Sequence, residues 1–510
     1  MSEETSLFHQ RLEKLARLRE LGADPYAIER FESTESAKEL LDNYVEDKPV
    51  SFAGRIVAVR VMGKAMFAHL SDGETKIQLY IRKDDVGETA WEVAQLLDIG
   101  DHLGVEGKLF ITKTGEKSIY VSTLTPLSKA FHNLPFGKEK DGERWYGLSD
   151  NEVRFRHRHL DLICNPDSRK LLLDRMRIVA AVRRFLDSRG YLEVETPLLQ
   201  LEAGGAAARP FLTHYNAYDL EVKLRISLEL YLKRIICGDV PKVYELGRVF
   251  RNEGVSNRHN PEFTLLEFYE AYSNLEDIMR LVEEMFRYVA LEVFGSTKVV
   301  AGEVEIDFGP DWQRLDLLGT IAERASIPVE SLSDLTTLKS ALGGETVVNP
   351  KNGKRVDLQK EDHLGGLIEK LLEVFVEEDL IQPTFLIGYP LETSPLAKKD
   401  PNRPGFTRRF EGYIRGKEVC NAFSEINDPI DQRERFQDQL AQRAAGDDEA
   451  HPMDEDFLYA LECGMPPTGG CGIGIDRMAM MLTGAETVRQ VLLFPMMKPE
   501  SGDSDEEDQP

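Results

Sequence analysis

The sequence predicts an α+β protein: a small N-terminal β-barrel, then a much larger domain in which helices and strands mix. Two patterns predict it. Between residues 50 and 127, period-two hydrophobic runs surround a single helical stretch, and beyond residue 150 helical and strand patterns alternate irregularly with no internal repeat. The length of 510 residues, at about 150 residues per domain, allows two or three domains. With 42% hydrophobic and 30% charged residues, the chain is neither collagen-like, coiled-coil nor wholly disordered.

Taken in order, residues 1–48 form a helical extension. Leu7, Leu12, Leu15 and Leu18 recur at helical spacing, and Asp24-Pro25 ends the pattern, which reads as a surface helix. Residues 49–135 hold the barrel. VSFAGRIVAVRV, AMFAHLSDG and TKIQLYIR are three strands in meander order, with Asp72-Gly73 turning the second into the third. A helix is expected from Asp85 to Leu97, then two more strands in HLGVEGKLFIT and KSIYVSTLTPL. The order β-β-β-α-β-β is that of an OB-fold, whose strand 2 and 3 face commonly meets oligonucleotides. Residues 136–150 read as a Gly- and charge-rich link, 151–498 as the large domain, and 499–510 as a disordered acidic tail.

Lys plus Arg number 63 and Asp plus Glu 89, a net charge of −26, so any nucleic acid must be met by local patches rather than by global attraction. No apolar run approaches the ~18 residues a membrane helix needs, and the N-terminus lacks a signal-peptide core; a cytoplasmic protein that meets no membrane is expected. The 5 cysteines include no CxxC pair, which fits free thiols rather than disulfides or zinc. His157-Arg158-His159 lies in a basic run, where surface or RNA-facing roles outweigh metal ligation. A Walker A loop and HEXXH are both absent.

Chemistry concentrates in four segments. VFRNEGVSNRHNPEFTLLEFYEAY reads as two strands joined by a polar loop and gathers Arg251, Glu253, Arg258, His259 and Asn260. GGAAARPF, GKEVCNAFSEINDP and CGIGIDRMAMML share its mixture of glycine and charge. Glu418 and Glu425 would face opposite ways on one unbroken strand, whereas on a bulged strand or a strand-to-helix turn both reach one divalent ion.

Together these segments resemble the signature motifs of class II aminoacyl-tRNA synthetases, most closely the bacterial lysyl type, over nearly the whole chain. RGYLEVETPLL (Arg189 to Leu199) is similar to motif 1, FRNEG with RHNPEF to motif 2, and GIGIDRM to motif 3. The resemblance implies an anticodon-reading OB-fold, a catalytic domain with an antiparallel sheet flanked by helices, and a homodimer joined across motif 1. Pro197 removes a strand donor there, which suits an edge or interface.

What the resemblance implies about chemistry is activation of L-lysine by ATP, then transfer to the 3′ end of lysine tRNA, with Mg²⁺ on the phosphates. By resemblance Arg251 bridges the substrate carboxylate and α-phosphate, and Arg477 meets the γ-phosphate. Glu418 and Glu425 match the Mg²⁺ acids; Glu253, Arg258, His259, Asn260 and Phe263 match residues around ATP. Glu229, Glu267, Tyr269, Asn421 and Glu425 make the matching amino-acid pocket acidic, hence suited to a cation, with Gly205 offering backbone to the α-amino group. In the barrel, Arg60, Phe67, Gln78 and Glu116 match anticodon contacts. Phe67 shares a strand face with Ala65 and His69 opposite the more apolar Met66, Ala68 and Leu70, so base stacking is favoured over a core role.

The chain departs from the family pattern at Ser227-Leu228, at Cys471 inside motif 3, and at an apparent extra loop, Asn349 to Arg355. An alternative from another class is a catalytically silent RNA-binding or regulatory paralogue.

Overall fold

The computed structural model of the chain describes residues 3–136, 138–140, 143–145, 147–254, 256, 259–361, 363–444 and 450–499. The acidic tail beyond Pro499, residues 137, 141, 142 and 146 of the expected link, and Arg258 lie outside them. Two compact units divide the chain, residues 1–169 and 170–510.

The first unit is built on a closed barrel. Its strands are β1 (Pro49–Met62), β2 (Ala65–Ser71), β3 (Lys76–Arg82), β4 (His102–Ile111) and β5 (Lys117–Ser128), in the order β1-β2-β3-β5-β4. Alternation drives closure: Phe52, Ile56, Met66, Ala68, Leu70, Ile77, Leu79, Val105 and Val121 all point inward and are buried. The Asp72 side chain caps the β2–β3 turn, its Oδ1 accepting from the backbone N–H groups of Glu74 (3.0 Å) and Thr75 (2.9 Å). One predicted helix is two: Gly87, at φ 85°, breaks Lys83–Val86 from Glu88–Leu96. The N-terminal helix Glu3–Glu20 buries Leu15 and Leu18 but leaves Leu12 to solvent. Its anchor is instead the buried Arg11, which donates to the carbonyls of Ala130 (2.7 Å) and His132 (2.8 Å).

The second unit centres on an eight-stranded sheet. Its strands are β6 (Leu192–Glu193), β7 (Lys242–Phe250), β8 (Glu262–Ala271), β9 (Gln313–Asp316), β10 (Thr384–Ile387), β11 (Arg409–Ile414), β12 (Lys417–Ser424) and β13 (Thr468–Gly474). They run β9-β10-β11-β12-β13-β8-β7-β6. The middle is antiparallel as expected, but each edge pair, β9 with β10 and β6 with β7, is parallel. Helices supply the apolar cover. In α1 (Pro166–Ser188) the stripe Ile178, Val182, Phe185 and Leu186 is buried; in α2 (Leu275–Phe294), Ile278, Val282, Met285, Phe286 and Val289 are. The segment Asn349 to Arg355 forms the turn between strands Thr346–Val348 and Arg355–Asp357, pinned where Asn349 Nδ2 donates to the Val374 carbonyl (2.7 Å).

A buried ion pair holds the region before motif 2 to motif 1. Arg225 and Glu245 meet at 2.5 Å with side chains 3% and 6% exposed. Arg225 also donates to the Arg248 carbonyl (2.8 Å), and Glu245 accepts from the Thr196 hydroxyl (2.6 Å) and N–H (3.1 Å). Glu245→Ala strands the guanidinium and is expected to cost about 3–5 kcal/mol. A urea titration checks this; an unchanged midpoint would contradict the pair's structural weight.

Candidate active site

One face of the sheet floors a cavity of about 430 Å³. Glycine makes room for it. A Cβ on Gly470 of β13 would stand 2.2 Å from Glu425 Oε1 and 2.4 Å from the Tyr269 ring. No side chain fits there without displacing both groups.

At one end three carboxylates converge from separate elements. Glu267 and Tyr269 share a face of β8, Glu425 follows β12, and Glu229 opens the helix Glu229–Cys237. All three acids are buried. Glu267 accepts from the Ser227 hydroxyl (2.7 Å) and the Leu228 N–H (3.1 Å) on one oxygen, and from the Tyr269 hydroxyl (3.1 Å) on the other. Ser227, at the position that departs from the family pattern, thereby ties Glu267 to the helix: its oxygen also accepts from the Glu229 N–H (3.2 Å). Burial raises all three carboxyls above their usual range, Glu267 to about 7 and Glu425 to about 8.

The sequence reading missed four residues here. Lys233, one turn after Glu229, sits fully buried with its ammonium against both Glu229 and Glu425. The i, i+4 spacing in LELYLKR was its only signal. Arg409 donates to Glu411 (2.6 Å), the Thr393 carbonyl (2.7 Å) and Asn421 Oδ1 (3.1 Å), so the predicted Asn421 is held by a buried arginine. Glu411 is braced by the Tyr389 and Tyr413 hydroxyls, both at 2.8 Å. His451 stacks on Phe436 at 4.5 Å, and its Nε2 accepts the Gly205 N–H at 2.7 Å. Gly205 has φ 86°, and a Cβ there would lie 2.9 Å from Ser227 Oγ.

Toward the other end lie the arginines. Arg251 reaches over the Phe263 ring at 5.2 Å and makes no salt bridge to a described carboxylate; burial lowers its pKa. Arg477 donates to the Glu418 carbonyl (2.9 Å) and carboxylate (3.1 Å) and approaches His259 Nε2 at 3.4 Å. Asp476 beside it is locked by Arg175 (2.6 Å) and the Thr264 N–H (3.0 Å). Asn260 is buried and its Oδ1 finds no donor among the described residues, while Glu253 is exposed. Glu418 and Glu425 thus take different cations, Arg477 and Lys233.

On the barrel, Phe67 faces outward, half-buried, while Met66, Ala68 and Leu70 fill the core. The core alternative for Phe67 fails. It touches Tyr80 (4.9 Å), which adjoins Phe110 (5.7 Å) and Tyr120 (5.4 Å), aromatics the sequence reading did not single out. Arg60 pairs with Phe67 across the strands. Gln78 donates to Glu116 at 2.7 Å, and Glu116 also meets His69 at 3.1 Å.

Both units of the chain are similar to known proteins. Residues 150–498 match the family model for class II tRNA synthetases (D, K and N), and residues 50–127 match the OB-fold nucleic acid binding domain. A lysine-tRNA ligase of Thermoanaerobacter sp. (strain X514) is 50% identical over 499 residues, 97% of this chain and 96% of that protein. One from Pelotomaculum thermopropionicum is 49% identical over 97% and 95% of the two chains, and one from Bacillus subtilis (strain 168) 48% over 96% of each.

His451 offers a pH test. Burial lowers its pKa from 6.5 to about 4, so the unfolded chain binds the proton first as pH falls. The neutral ring's contribution is complete above pH 6.5 and is lost toward pH 4, about 3 kcal/mol in all. His451→Gln should remove that part of the acid slope in denaturant titrations; an identical slope would contradict it.

Proposed function

The chain belongs to the family of class II tRNA synthetases, and we propose how its residues divide the work of a lysine-tRNA ligase. The observation that carries the reading is the convergence of Glu229, Glu267 and Tyr269 on one cavity, with Glu425 buried directly behind them beside Gly470 and the Tyr269 ring. Buried carboxylates call for a cationic ligand, because a carboxylate without water needs an opposite charge. Glu425 and Tyr269 take the ε-ammonium of lysine; Glu229 and the Gly205 backbone take the α-amino group. Aspartate or asparagine would bring no second cation.

In the activation step the lysine carboxylate attacks the α-phosphorus of ATP in line: a C–O–P bond forms, the bond to the β-phosphate oxygen breaks, and pyrophosphate leaves. A terminal tRNA hydroxyl then attacks the adenylate carbonyl and AMP departs. Neither step needs an enzyme nucleophile, so the protein contributes orientation and charge neutralisation. Arg251, which makes no salt bridge to a described carboxylate, bridges the lysine carboxylate and α-phosphate; Arg477 meets the γ-phosphate. Phe263 stacks on adenine, with Glu253, His259 and Asn260 around the nucleotide; the unpartnered Asn260 Oδ1 supports this. Arg258 belongs to the same set by its place in the motif.

Mg²⁺ fits the acids present. Glu418 presents a carboxylate 38% exposed and is the acid placed to hold the ion, while Glu425 is engaged by Lys233 at the lysine end. Bound there, the ion would offset phosphate charge.

Arg60, Phe67, Gln78 and Glu116 form the anticodon contact on the barrel, with Tyr80 extending the aromatic face. A homodimer is supported by the exposed apolar residues of motif 1 and the following hairpin: Leu192, Leu198, Leu199, Leu212 and Tyr218. No helix among the described residues is long and apolar enough to cross a membrane. Cysteines without disulfides and a tRNA substrate favour a cytoplasmic enzyme. The silent-paralogue alternative gains no support, since Arg251, Glu418, Glu425 and Arg477 all stand in the cavity region.

ATP–pyrophosphate exchange tests the reading. L-lysine should support it and aspartate should not; equal exchange with aspartate would overturn it. Arg251→Ala should lower exchange roughly 10² to 10³-fold. Because a protonated carboxyl cannot hold an ammonium, and Glu267 and Glu425 sit near 7 and 8, KM for lysine should fall as pH rises from about 6.5 to about 8.5. A flat profile would contradict the role of these acids. Phe67→Ala should weaken tRNA binding by about 1–3 kcal/mol and leave exchange unchanged.

A further inference from the structure

Behind the proposed lysine pocket stands a lysine of the chain's own. Lys233 is 0% exposed, and its ammonium contacts Glu229 from within the same helix and Glu425 from the end of β12. Tyr269, Phe423 and Phe457 stand around it, each ring centroid 5.9 Å from Nζ. An ammonium held by carboxylates and aromatic faces is the environment the substrate's own side chain requires.

Charge counting gives this a meaning. In the ionised form that binds an ammonium, Glu229, Glu267 and Glu425 bring three negative charges, and Lys233 answers one. The neighbouring cation Arg409 is engaged by Glu411 at 2.6 Å. Two negative charges remain. Lysine carries two ammonium groups, and its carboxylate goes to Arg251. We propose that Lys233 is a specificity-determining positioning residue, a resident ammonium that sets the buried pocket to the charge that the two ammonium groups of lysine neutralise. The inference rests on the proposed lysine pocket.

Geometry supports the same role. Lys233 takes one oxygen from each of two acids on different elements: Oε1 of Glu229 and Oε2 of Glu425. It thereby fixes their separation and leaves Glu425 Oε1, which accepts no hydrogen bond, for the incoming ligand. Without the resident cation, one buried carboxylate would remain unanswered in a medium where that is costly. The two acids would also repel each other apart.

The test is Lys233→Met, nearly isosteric and uncharged, assayed as the full chain by lysine-dependent ATP–pyrophosphate exchange alongside thermal unfolding. KM for lysine should rise at least thirtyfold, with KM for ATP within twofold of the parent. Lys233→Gln, which keeps hydrogen bonding without the charge, should behave alike, and Lys233→Arg, which keeps the charge, should recover most of the lysine affinity. A folded Met or Gln variant with lysine KM within threefold of the parent overturns the proposal. So does a parallel rise in both KM values, or loss of folding in both variants while Arg folds, because each marks a structural role alone. A parent enzyme without lysine-dependent exchange would defeat the pocket reading itself, a different outcome from an unaffected variant.

Discussion

Three carboxylates withdrawn from water around one cavity, Glu229 and Glu267 lining it and Glu425 buried behind, set the terms for the second unit. Each must find a donor or cation, because burial of an unanswered carboxylate costs several kcal/mol. Their partners come from every part of the local chain: Ser227 and Leu228 from the loop before a helix, Lys233 from inside it, Tyr269 from the sheet. The glycines of β13 follow from the same demand, since a side chain at Gly470 would occupy the place of Glu425 and Tyr269. On the proposed reading, stability and recognition draw on the same atoms.

A second layer holds the acids and arginines in register. Asp476 links α1, through Arg175, to β8, through Thr264, and lies next to Arg477. Arg409 carries Glu411, Asn421 and the Thr393 segment together. These pairs are desolvated and multiply hydrogen-bonded, the condition under which a buried ion pair constrains geometry. They leave the end of the cavity that holds Arg251 comparatively free, where that guanidinium makes no salt bridge to a described carboxylate.

Much of this was legible in the sequence, for physical reasons. Period-two alternation exposed all five barrel strands, and Asp72-Gly73 exposed a turn, because each is a local property of the chain. The outward face of Phe67 followed from comparing two alternating sets of side chains. What stayed hidden depends on distant residues. The parallel edge pairs join strands far apart in sequence. Lys233 reads as an ordinary helix-surface cation until Glu425, almost two hundred residues on, is folded against it. His451 gains its role only by meeting Gly205. Of the departures from the family pattern, Ser227 has a physical account in its two hydrogen bonds, and Cys471 is a buried core thiol beside Cys420 whose pKa burial raises. The loop Asn349 to Arg355 is an ordered hairpin turn.

The claim on which the rest turns is that the cavity recognises two separate ammonium groups by buried charge. Calorimetric binding of L-lysine to the unmodified enzyme, set against norleucine, which lacks the ε-ammonium, and 6-aminohexanoate, which lacks the α-ammonium, measures it directly. A site built to pair a polar group rejects the analogue lacking it by factors near 10⁴. The expected result is a loss of at least about a hundredfold for each analogue. Norleucine binding within tenfold of lysine would contradict the account.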